Sequence, residues 1–398
     1  MNFLFISPNF PIVYSKFVSS LKRRGFNVLG IGDSPYWDLN QELKLNLAEY
    51  YCVTDMKDID KMSTAIRYFE TKYGHIDYLE SNNEYWLMND AILRERFKIT
   101  TGLYPSDMDR IKKKSEMKSY FQNAGVKVAR YILVSTIEES KKFIEVVGYP
   151  VFVKPNIGVG AIDSFAIHGE QELIAFHLKK LDTQYIMEEF LDGEIVSFDG
   201  ICNSKSKALI AFNEVFPVPV ADIVNEDLDD YYYAITKMDN EFEEMGRKVV
   251  ESFEIKKRCF HIEFFKLHKD RPGLANKGEI VALEVNMRPP GGYTPDLLSI
   301  ALGSSFYDAY ADIIMFDELK ADITKQNVIA ITASRKDIFK YERDEKEILQ
   351  KYKDSIVEYG RYPKGISLAM GDLYYYAKFD SLSSALEYAE YIRKKKQL

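Results

Sequence analysis

Short apolar strands and amphipathic helices alternate along the first hundred residues, and this alternation limits the folds open to the chain. Three segments have the pattern of strands and three have the spacing of helices: Asn2–Ser7, Phe26–Gly32 and Ile76–Leu79, and Val13–Arg24, Ile59–Tyr73 and Glu84–Phe97. This order predicts a parallel sheet with right-handed crossovers. No G-x-G-x-x-G sequence follows the first strand, so no dinucleotide site is expected there.

The composition is that of a globular protein of two or three domains. The chain has 398 residues, 46% hydrophobic and 29% charged, with a formal net charge of −8. A nucleic-acid-binding protein normally carries a basic excess, so no nucleic-acid partner is expected. No apolar run reaches the roughly 18 residues of a membrane span, and the chain starts without a basic signal segment. We therefore expect a cytoplasmic location and no membrane partner.

A strand near residue 280 carries polar side chains where a buried strand would carry apolar ones. Because side chains alternate along a strand, Glu284, Asn286 and Arg288 lie on one face. Unpaired charges are costly to bury, and carboxylate and amide oxygens suit Mg²⁺ that is shared with substrate phosphates. The alternative is a solvent-facing edge strand with an incidental ion pair.

The segment Cys259–Phe265 repeats this pattern, because His261 and Glu263 share one face of an otherwise apolar strand. If this strand forms a hairpin with Glu279–Asn286, Glu263 meets Glu284 across a metal ion. We expect His261 to pack beside the site rather than to bind the metal.

Two further segments have the features of a nucleotide site. Lys154 ends an apolar strand and precedes a glycine-bearing turn, so its ammonium group could reach a phosphate. The exposed backbone after Ile186–Leu191 could pair with the edge of an adenine. The alternatives are a lysine that points to solvent and an ordinary amphipathic strand.

In this order the segments resemble the ATP-grasp superfamily, which includes biotin carboxylase, D-alanine–D-alanine ligase and the L-amino-acid ligases. The strongest part of the resemblance is Glu284-x-Asn286-x-Arg288 with Gly291-Gly292, downstream of Glu263. It implies an α/β fold with a parallel-sheet pre-ATP-grasp domain over residues 1–104 and then a two-lobed ATP-grasp domain. The small lobe, which carries the ATP lid, would span residues 105–191. The large lobe and a C-terminal extension would span residues 192–398.

The resemblance also implies roles for individual residues. Those that would bind ATP are Lys114, Lys154, Gly158, Gly160, Glu188, Glu189, Leu191 and Glu194. Lys114 and Lys154 would hold phosphates, the two glycines would lie in the lid, and Glu188, Glu189 and Leu191 would form the adenine hinge. The family pattern G-x-E-x-S-x-D keeps Ser197 and Asp199 here but has Ile195 for Glu, so Glu194 would substitute at the ribose.

For catalysis, the resemblance implies that Glu263, Glu284 and Asn286 bind Mg²⁺ (or Mn²⁺). Arg288 would stabilise the transferred phosphoryl group, and the N–H groups near Gly291 and Gly292 would hold an oxyanion. Lys113 stands where the family usually has Asp before the phosphate lysine.

The implied activity is that of an ADP-forming carboxylate–amine ligase, which activates a small carboxylic acid or amino acid as an acyl phosphate. The partners would be a small-molecule carboxylate and an amine, and a homodimer is left open. Two alternatives remain: a bicarbonate-activating enzyme of the biotin-carboxylase or carbamoyl-phosphate type, and a nucleotide-binding regulator without turnover. Glu84, Tyr293 and Arg335 are candidate substrate contacts, although a helix start, a loop anchor and a surface charge account for them better.

Overall fold

The described strands form three β-sheets. The structure is a computed structural model that describes residues 1–158, 163–179, 183–218, 223, 227–320, 323, 327–364 and 366–396. In these ranges the strands form a four-stranded N-terminal sheet, a four-stranded small sheet and a nine-stranded large sheet. This mixture of helices and sheets confirms the expected α/β class. Among the described residues, no helix is long and apolar enough to cross a bilayer.

The N-terminal sheet is parallel, as predicted, with the order β3-β2-β1-β4. Its strands are β1 (Asn2–Ile6), β2 (Asn27–Gly32), β3 (Glu49–Cys52) and β4 (Tyr78–Glu80). The helices that accompany it are α1 (Ser15–Arg23), α2 (Gln41–Asn46), α3 (Ile59–Tyr73) and α4 (Leu87–Phe97). The sequence did not predict α2 or β3. Strand β3 is only partly buried and has no apolar run that would mark it as a strand.

A broken helix connects the N-terminal sheet to the rest of the chain. Two helices, α5 (Met108–Lys112) and α6 (Lys114–Asn123), are separated at Lys113, whose backbone is extended. Phe121 of α6 packs edge-on against Phe253 and Phe264 of the large lobe, and β5 (Lys127–Val128) joins the edge of the large sheet. Helix α6 and strand β5 therefore pack with the large sheet, although the predicted small lobe included them.

The small sheet is antiparallel with the order β6-β9-β7-β8. Its strands are β6 (Tyr131–Leu133), β7 (Val151–Pro155), β8 (Phe165–Ile167) and β9 (Tyr185–Glu189). Helices α7 (Ile137–Val147) and α8 (Glu170–Leu178) cover it. Thr136 caps α7, since its hydroxyl accepts a hydrogen bond from the Glu139 N–H.

The large sheet has the order β16-β17-β15-β12-β11-β10-β13-β14-β5. Its remaining strands are β10 (Gly193–Cys202), β11 (Ala208–Phe216), β12 (Tyr231–Ile235), β13 (Arg258–Leu267), β14 (Ile280–Asn286), β15 (Ile329–Arg335), β16 (Ile356–Arg361) and β17 (Leu373–Phe379). Its helices are α9 (Asn240–Ser252), α10 (Thr294–Leu302), α11 (Phe306–Phe316), α12 (Glu345–Lys351), α13 (Ser367–Met370) and α14 (Leu382–Arg393).

The two faces of the large sheet are covered differently. One face packs against α6 and α9 through apolar side chains such as Phe198, Phe264 and Val249. The opposite face packs against α10, α11 and the N-terminal sheet, where Phe17 of α1 lies 4.7 Å from Tyr307 between ring centroids. The polar residues singled out on β13 and β14, among them Glu263, Glu284 and Asn286, lie on this second face.

Candidate active site

Two rows of polar side chains cross the large sheet on one face. The first row runs over four neighbouring strands, β11, β10, β13 and β14: Glu214, Ser197, Glu263 and Glu284. The second row lies two residues away along β10, β13 and β14, and it consists of Asp199, His261 and Asn286. The antiparallel pairing of β13 and β14 places Glu263 directly opposite Glu284, so the predicted meeting of these two carboxylates is confirmed.

The side-chain amide of Asn286 lies beside this carboxylate pair and carries one further oxygen. Its Nδ2 atom donates to Glu263 Oε2 at 3.5 Å and to Glu284 Oε1 at 3.4 Å. The described residues contain no group of three or more His, Cys, Asp or Glu side chains arranged around a metal. Mg²⁺ does not require such a cage, because it usually takes one or two carboxylates and completes its shell with water and phosphate. The donor set therefore fits Mg²⁺ bound together with a nucleotide.

Lys114 stands beside the carboxylate pair at the start of α6. Its Nζ atom lies 3.0 Å from Glu284 Oε2 and donates to the Gly158 carbonyl at 3.4 Å. Burial alone would raise the pKa of Glu284, but Lys114 and Lys154 outweigh it and hold that pKa at about 2. Glu284 in turn raises the pKa of Lys114 against the lowering effect of burial. Both groups are therefore charged at neutral pH.

The turn after β7 fixes the position of α6. The Asn156 carbonyl accepts the Lys114 N–H at 2.9 Å, and Asn156 Oδ1 accepts the Ser115 N–H at 2.9 Å. Helix N-termini leave such N–H groups without partners inside the helix. Asn156 satisfies them and ties the small sheet to Lys114. Gly158 lies in this contact, whereas Gly160, also predicted for the lid, is outside the described residues.

Glu188 of β9 binds two ammonium groups. Glu188 Oε2 lies 2.7 Å from Lys154 Nζ, and Glu188 Oε1 lies 2.5 Å from Lys118 Nζ. Although burial raises it, the pKa of Glu188 is held at about 2 by these two lysines. The sequence analysis did not select Lys118, but its position one helical turn after Lys114 puts both on one face of α6. That spacing could have identified it.

The structure does not bring the rest of the predicted hinge to this cluster. The Glu189 carboxylate accepts hydrogen bonds from Arg130 and Arg271, with the Glu189 oxygens 2.6 Å from Arg130 Nη2 and 2.8 Å from Arg271 Nε. Its backbone N–H donates to the Arg130 carbonyl. Leu191 packs in a small apolar cluster with Leu267 and Val281. Adjacent strand residues point to opposite faces, so Glu188 enters the cluster and Glu189 does not.

Glu194 lies on the opposite face of the large sheet from the polar rows, because side chains alternate along β10. Glu194 is an odd number of positions from Ser197 and Asp199 along β10, so it shares the face of Val196 and Phe198. Its carboxylate lies 3.7 Å from Lys266 Nζ. Glu194 therefore lies apart from the polar rows, and its expected role at the ribose stays a prediction.

Arg288, Gly291 and Gly292 follow β14 at the end of the polar rows. Arg288 donates to the Pro289 carbonyl at 2.8 Å, and its charge acts on Glu84, a buried carboxylate of the N-terminal domain. Gly292 has a φ of 58°, and a Cβ atom there would lie 2.2 Å from Met370 Sδ. This turn therefore requires glycine, which keeps its backbone close to Arg288.

Glu84 is the one of the three substrate candidates that faces this region. Its Oε1 atom lies 3.4 Å from Lys112 Nζ, and its Oε2 atom is buried with no hydrogen-bond partner among the described residues. Burial raises the pKa of Glu84, while Lys112 and Arg288 act against it. Tyr293 packs against Tyr362, and Arg335 donates to the Ile392 carbonyl at the C-terminal helix, so it is not a surface charge.

Asp199 and His261 form a buried pair that the sequence analysis treated separately. Asp199 Oδ1 lies 2.5 Å from His261 Nδ1, and the Ser197 hydroxyl donates to Asp199 Oδ2. Burial lowers the pKa of His261, but Asp199 and Glu263 outweigh this effect and raise it to about 9. Burial and the Asp199 charge raise the pKa of Glu214 well above its usual range. Their cross-strand alignment could not be predicted before the sheet order was known.

Sequence comparisons relate the chain to amino-acid ligases. No family model matches it. It is 24% identical over 286 residues to the L-arginine-specific L-amino acid ligase of Bacillus subtilis, a match that covers 67% of this chain and 64% of that protein. It is 32% identical over 105 residues to D-alanine–D-alanine ligase B of Clostridium perfringens, covering 24% and 35% of the two chains. The chain thus matches less than two thirds of the length of these curated relatives.

Structural comparisons extend over almost the whole chain. The crystal structure of an L-amino acid ligase from Bacillus licheniformis superposes with a TM-score of 0.71 at 15% identity, covering 98% of this chain and 96% of that one. N5-carboxyaminoimidazole synthetase from Staphylococcus aureus, complexed with ADP, gives a TM-score of 0.70 at 14% identity with the same coverage. With its parallel N-terminal sheet and its two lobes that meet at buried lysines and carboxylates, the chain has the fold of the ATP-grasp proteins that it resembles.

Proposed function

We propose that this protein is an ATP-dependent carboxylate–amine ligase that releases ADP and phosphate. The observation that carries the proposal is the cluster in which three lysines from two elements meet carboxylates of both lobes: Lys114, Lys118 and Lys154 with Glu188 and Glu284. The L-amino acid ligases of similar sequence and fold support the same reading.

The cluster is suited to a nucleotide because it concentrates positive charge next to oxygen donors for a metal. Lys114 and Lys154 would bind phosphate oxygens through charge-assisted hydrogen bonds. Glu263, Glu284 and Asn286 would hold Mg²⁺, which when bound supplies charge neutralisation of the phosphates. Similar solved structures contain ADP or MgADP.

The proposed reaction has two displacements. First, an oxygen of the substrate carboxylate attacks the γ-phosphorus, the bond to the oxygen that bridges the β- and γ-phosphates breaks, and ADP leaves. Second, an amine attacks the carbonyl carbon of the acyl phosphate, phosphate leaves with the bonding electrons, and the amine loses a proton. Such phosphoryl transfer depends mainly on positioning and charge stabilisation.

Residues after β14 would act on the reacting atoms. Arg288 would stabilise the phosphoryl group during its transfer. The N–H groups near Gly291 and Gly292 would bind the oxyanion that forms when the amine adds to the carbonyl carbon. Glu84 Oε2 has no hydrogen-bond partner within the described part of the chain, which makes this residue the candidate contact for the second substrate.

The proposal is tested by measuring ADP and phosphate release with a matrix of amino acids, supplied singly and in pairs, with ATP and Mg²⁺. We expect release that depends on a pair of substrates and that Glu284→Gln abolishes, while its circular dichroism spectrum is unchanged. Release with bicarbonate alone would favour the bicarbonate-activating alternative. Nucleotide binding without any release would favour the regulator.

A further inference from the structure

A continuous chain of buried polar groups runs from the interior of the large sheet to the carboxylate pair. The Ser197 hydroxyl donates to Asp199, Asp199 Oδ1 lies 2.5 Å from His261 Nδ1, and His261 Nε2 lies 3.6 Å from Glu263 Oε1. Ser197 and Asp199 are fully buried, and the His261 side chain is 8% exposed. Glu263 is 20% exposed at the end of the chain, so the polar groups lead out of the core to the site.

Packing of the core does not account for the polar groups at these positions. Burying an aspartate and an imidazole costs free energy unless both are hydrogen-bonded, and apolar side chains would fill the same space at lower cost. The imidazole is held on one side by Asp199, which fixes the direction in which Nε2 points. That direction is toward Glu263, one of the two carboxylates that face each other across β13 and β14.

We propose that His261 is a positioning residue that orients the Glu263 carboxylate toward Glu284 and Asn286, so that the three side chains bind a divalent cation together. Asp199 acts behind it by fixing the imidazole. This inference rests on the proposed function, because it assigns Glu263 to the metal that accompanies the nucleotide. Groups that hold a metal ligand in place typically contribute ten- to a hundredfold to metal affinity.

Two substitutions of His261 separate its two contacts. In His261→Asn the amide nitrogen can stand in for Nδ1, which preserves the bond to Asp199 and loses the contact with Glu263. In His261→Gln the longer side chain places its amide nitrogen near the position of Nε2, which preserves the contact with Glu263. Phe212→Leu is the control, because Phe212 is buried beside Asp199 on the neighbouring strand but has no polar group.

The affinity for Mn²⁺ is measured on the full chain in the presence of saturating ADP, by the loss of the free Mn²⁺ electron paramagnetic resonance signal. We expect His261→Asn to weaken Mn²⁺ binding about tenfold or more, His261→Gln to weaken it less, and Phe212→Leu to leave it unchanged. Calorimetry with ADP alone should give the same affinity for all four proteins. This rules out a general loss of the site.

The outcomes distinguish the inference from the proposed function. If wild-type protein binds no Mn²⁺ with ADP, the proposed function fails and the inference fails with it. If the wild type binds Mn²⁺ and His261→Asn binds it equally well, only the positioning role is overturned. A His261→Gln variant that binds Mn²⁺ more weakly than His261→Asn would also overturn it, because the contact with Glu263 would then not matter.

Discussion

The buried lysines of the site have carboxylate partners within the protein. Lys114 is bound to Glu284, and Lys118 and Lys154 are bound to Glu188. An unpaired buried charge costs several kcal/mol, so these pairs offset the cost of burying the cluster. On the proposed function, phosphates that bind Lys114 or Lys154 would compete with Glu284 or Glu188.

Lys154→Ala should weaken ATP binding, because it removes an ammonium group that is proposed to bind a phosphate. Loss of a charge-assisted hydrogen bond costs about 1.5–3 kcal/mol, or about ten- to a hundredfold in affinity. The measurement is titration calorimetry with ATP and Mg²⁺. Lys127→Ala is the control, since Lys127 forms an exposed ion pair with Glu279. Equal affinities for the Lys154 variant and the wild type would remove Lys154 from the phosphate site.

Lys114→Met should change nucleotide and metal binding in opposite directions. The substitution removes a phosphate contact, so affinity for ADP should fall. It also frees Glu284 from its ammonium partner, so affinity for Mn²⁺ without nucleotide should rise. Calorimetry with ADP and paramagnetic resonance with Mn²⁺ measure the two affinities separately. If both affinities fall, the pair of Lys114 with Glu284 is not a competitor for the metal.

At the scale of single elements, strand β9 is anchored on both faces by neighbouring carboxylates. Glu188 points to Lys118 and Lys154, and Glu189 points to Arg130 and Arg271. Each carboxylate has a lowered pKa because these cations outweigh the effect of burial. The strand that carries the predicted hinge is therefore held by charge as well as by its backbone ladder.

The anchoring of β9 should make stability depend on acid pH. The pKa of Glu188 is about 2 in the folded protein and about 4.3 in an unfolded chain. Its contribution is fully present above the unfolded value and is lost as the pH falls from there toward the folded value. The difference in free energy of unfolding between wild type and Glu188→Gln should therefore shrink below about pH 5. Urea unfolding at several pH values measures it, and Glu318→Gln is the surface control. A constant difference would contradict the role of the Glu188 charge.

Elements with a local sequence pattern could be predicted from the sequence. Elements whose ends or burial depend on residues distant in sequence could not. The hairpin that places Glu263 opposite Glu284 followed from two strands joined by a polar loop, and its register is confirmed. The break at Lys113 was missed, because α6 starts at a cap supplied by Asn156, which is distant in sequence. Helix α11 was missed because it is apolar around most of its surface and buried, so it lacks amphipathic spacing.

The same distinction applies to the site residues. The alternation along β14 was sufficient to place Glu284 and Asn286 on one face. The roles expected for Glu189 and Glu194 came from their places in a family pattern, and the faces of β9 and β10 turn both side chains away from the lysines. The spacing of Lys118 from Lys114 could have identified it, but its pairing with Glu188 is visible only in the folded protein.

At the scale of the whole molecule, a buried ionic cluster joins the N-terminal domain to the large sheet. Glu80 at the end of β4 accepts from Arg94 at 3.0 Å and from Arg258 of β13 at 3.1 Å. Arg258 also donates to the Met287 carbonyl, next to Asn286 and Arg288. The position of the N-terminal domain is thus coupled directly to β13 and to the end of β14, two of the strands that carry the polar rows.

Arg258→Met should destabilise the whole protein, because it leaves Glu80 with one of its two cations. Breaking a buried ion pair costs about 3–5 kcal/mol. Urea unfolding is followed by circular dichroism and by the fluorescence of the two tryptophans, Trp37 and Trp86, which both lie in the N-terminal domain. We expect coincident transitions in the wild type. Arg247→Met, at a partly exposed pair within α9, is the control, and an equal small loss in both variants would contradict the coupling.

The identity of the nucleotide product tests the central claim most directly. The protein is incubated with ATP, Mg²⁺ and each carboxylate substrate in the presence of hydroxylamine, and the products are identified by phosphorus NMR and hydroxamate colour. On the proposed function, Lys114, Lys154 and Arg288 act on the phosphates and Glu263 and Glu284 hold the metal, so we expect transfer of the γ-phosphoryl group to the carboxylate. The predicted products are ADP, phosphate and a hydroxamate in equal amounts. Stoichiometric AMP and pyrophosphate would show activation as an adenylate and would contradict the account.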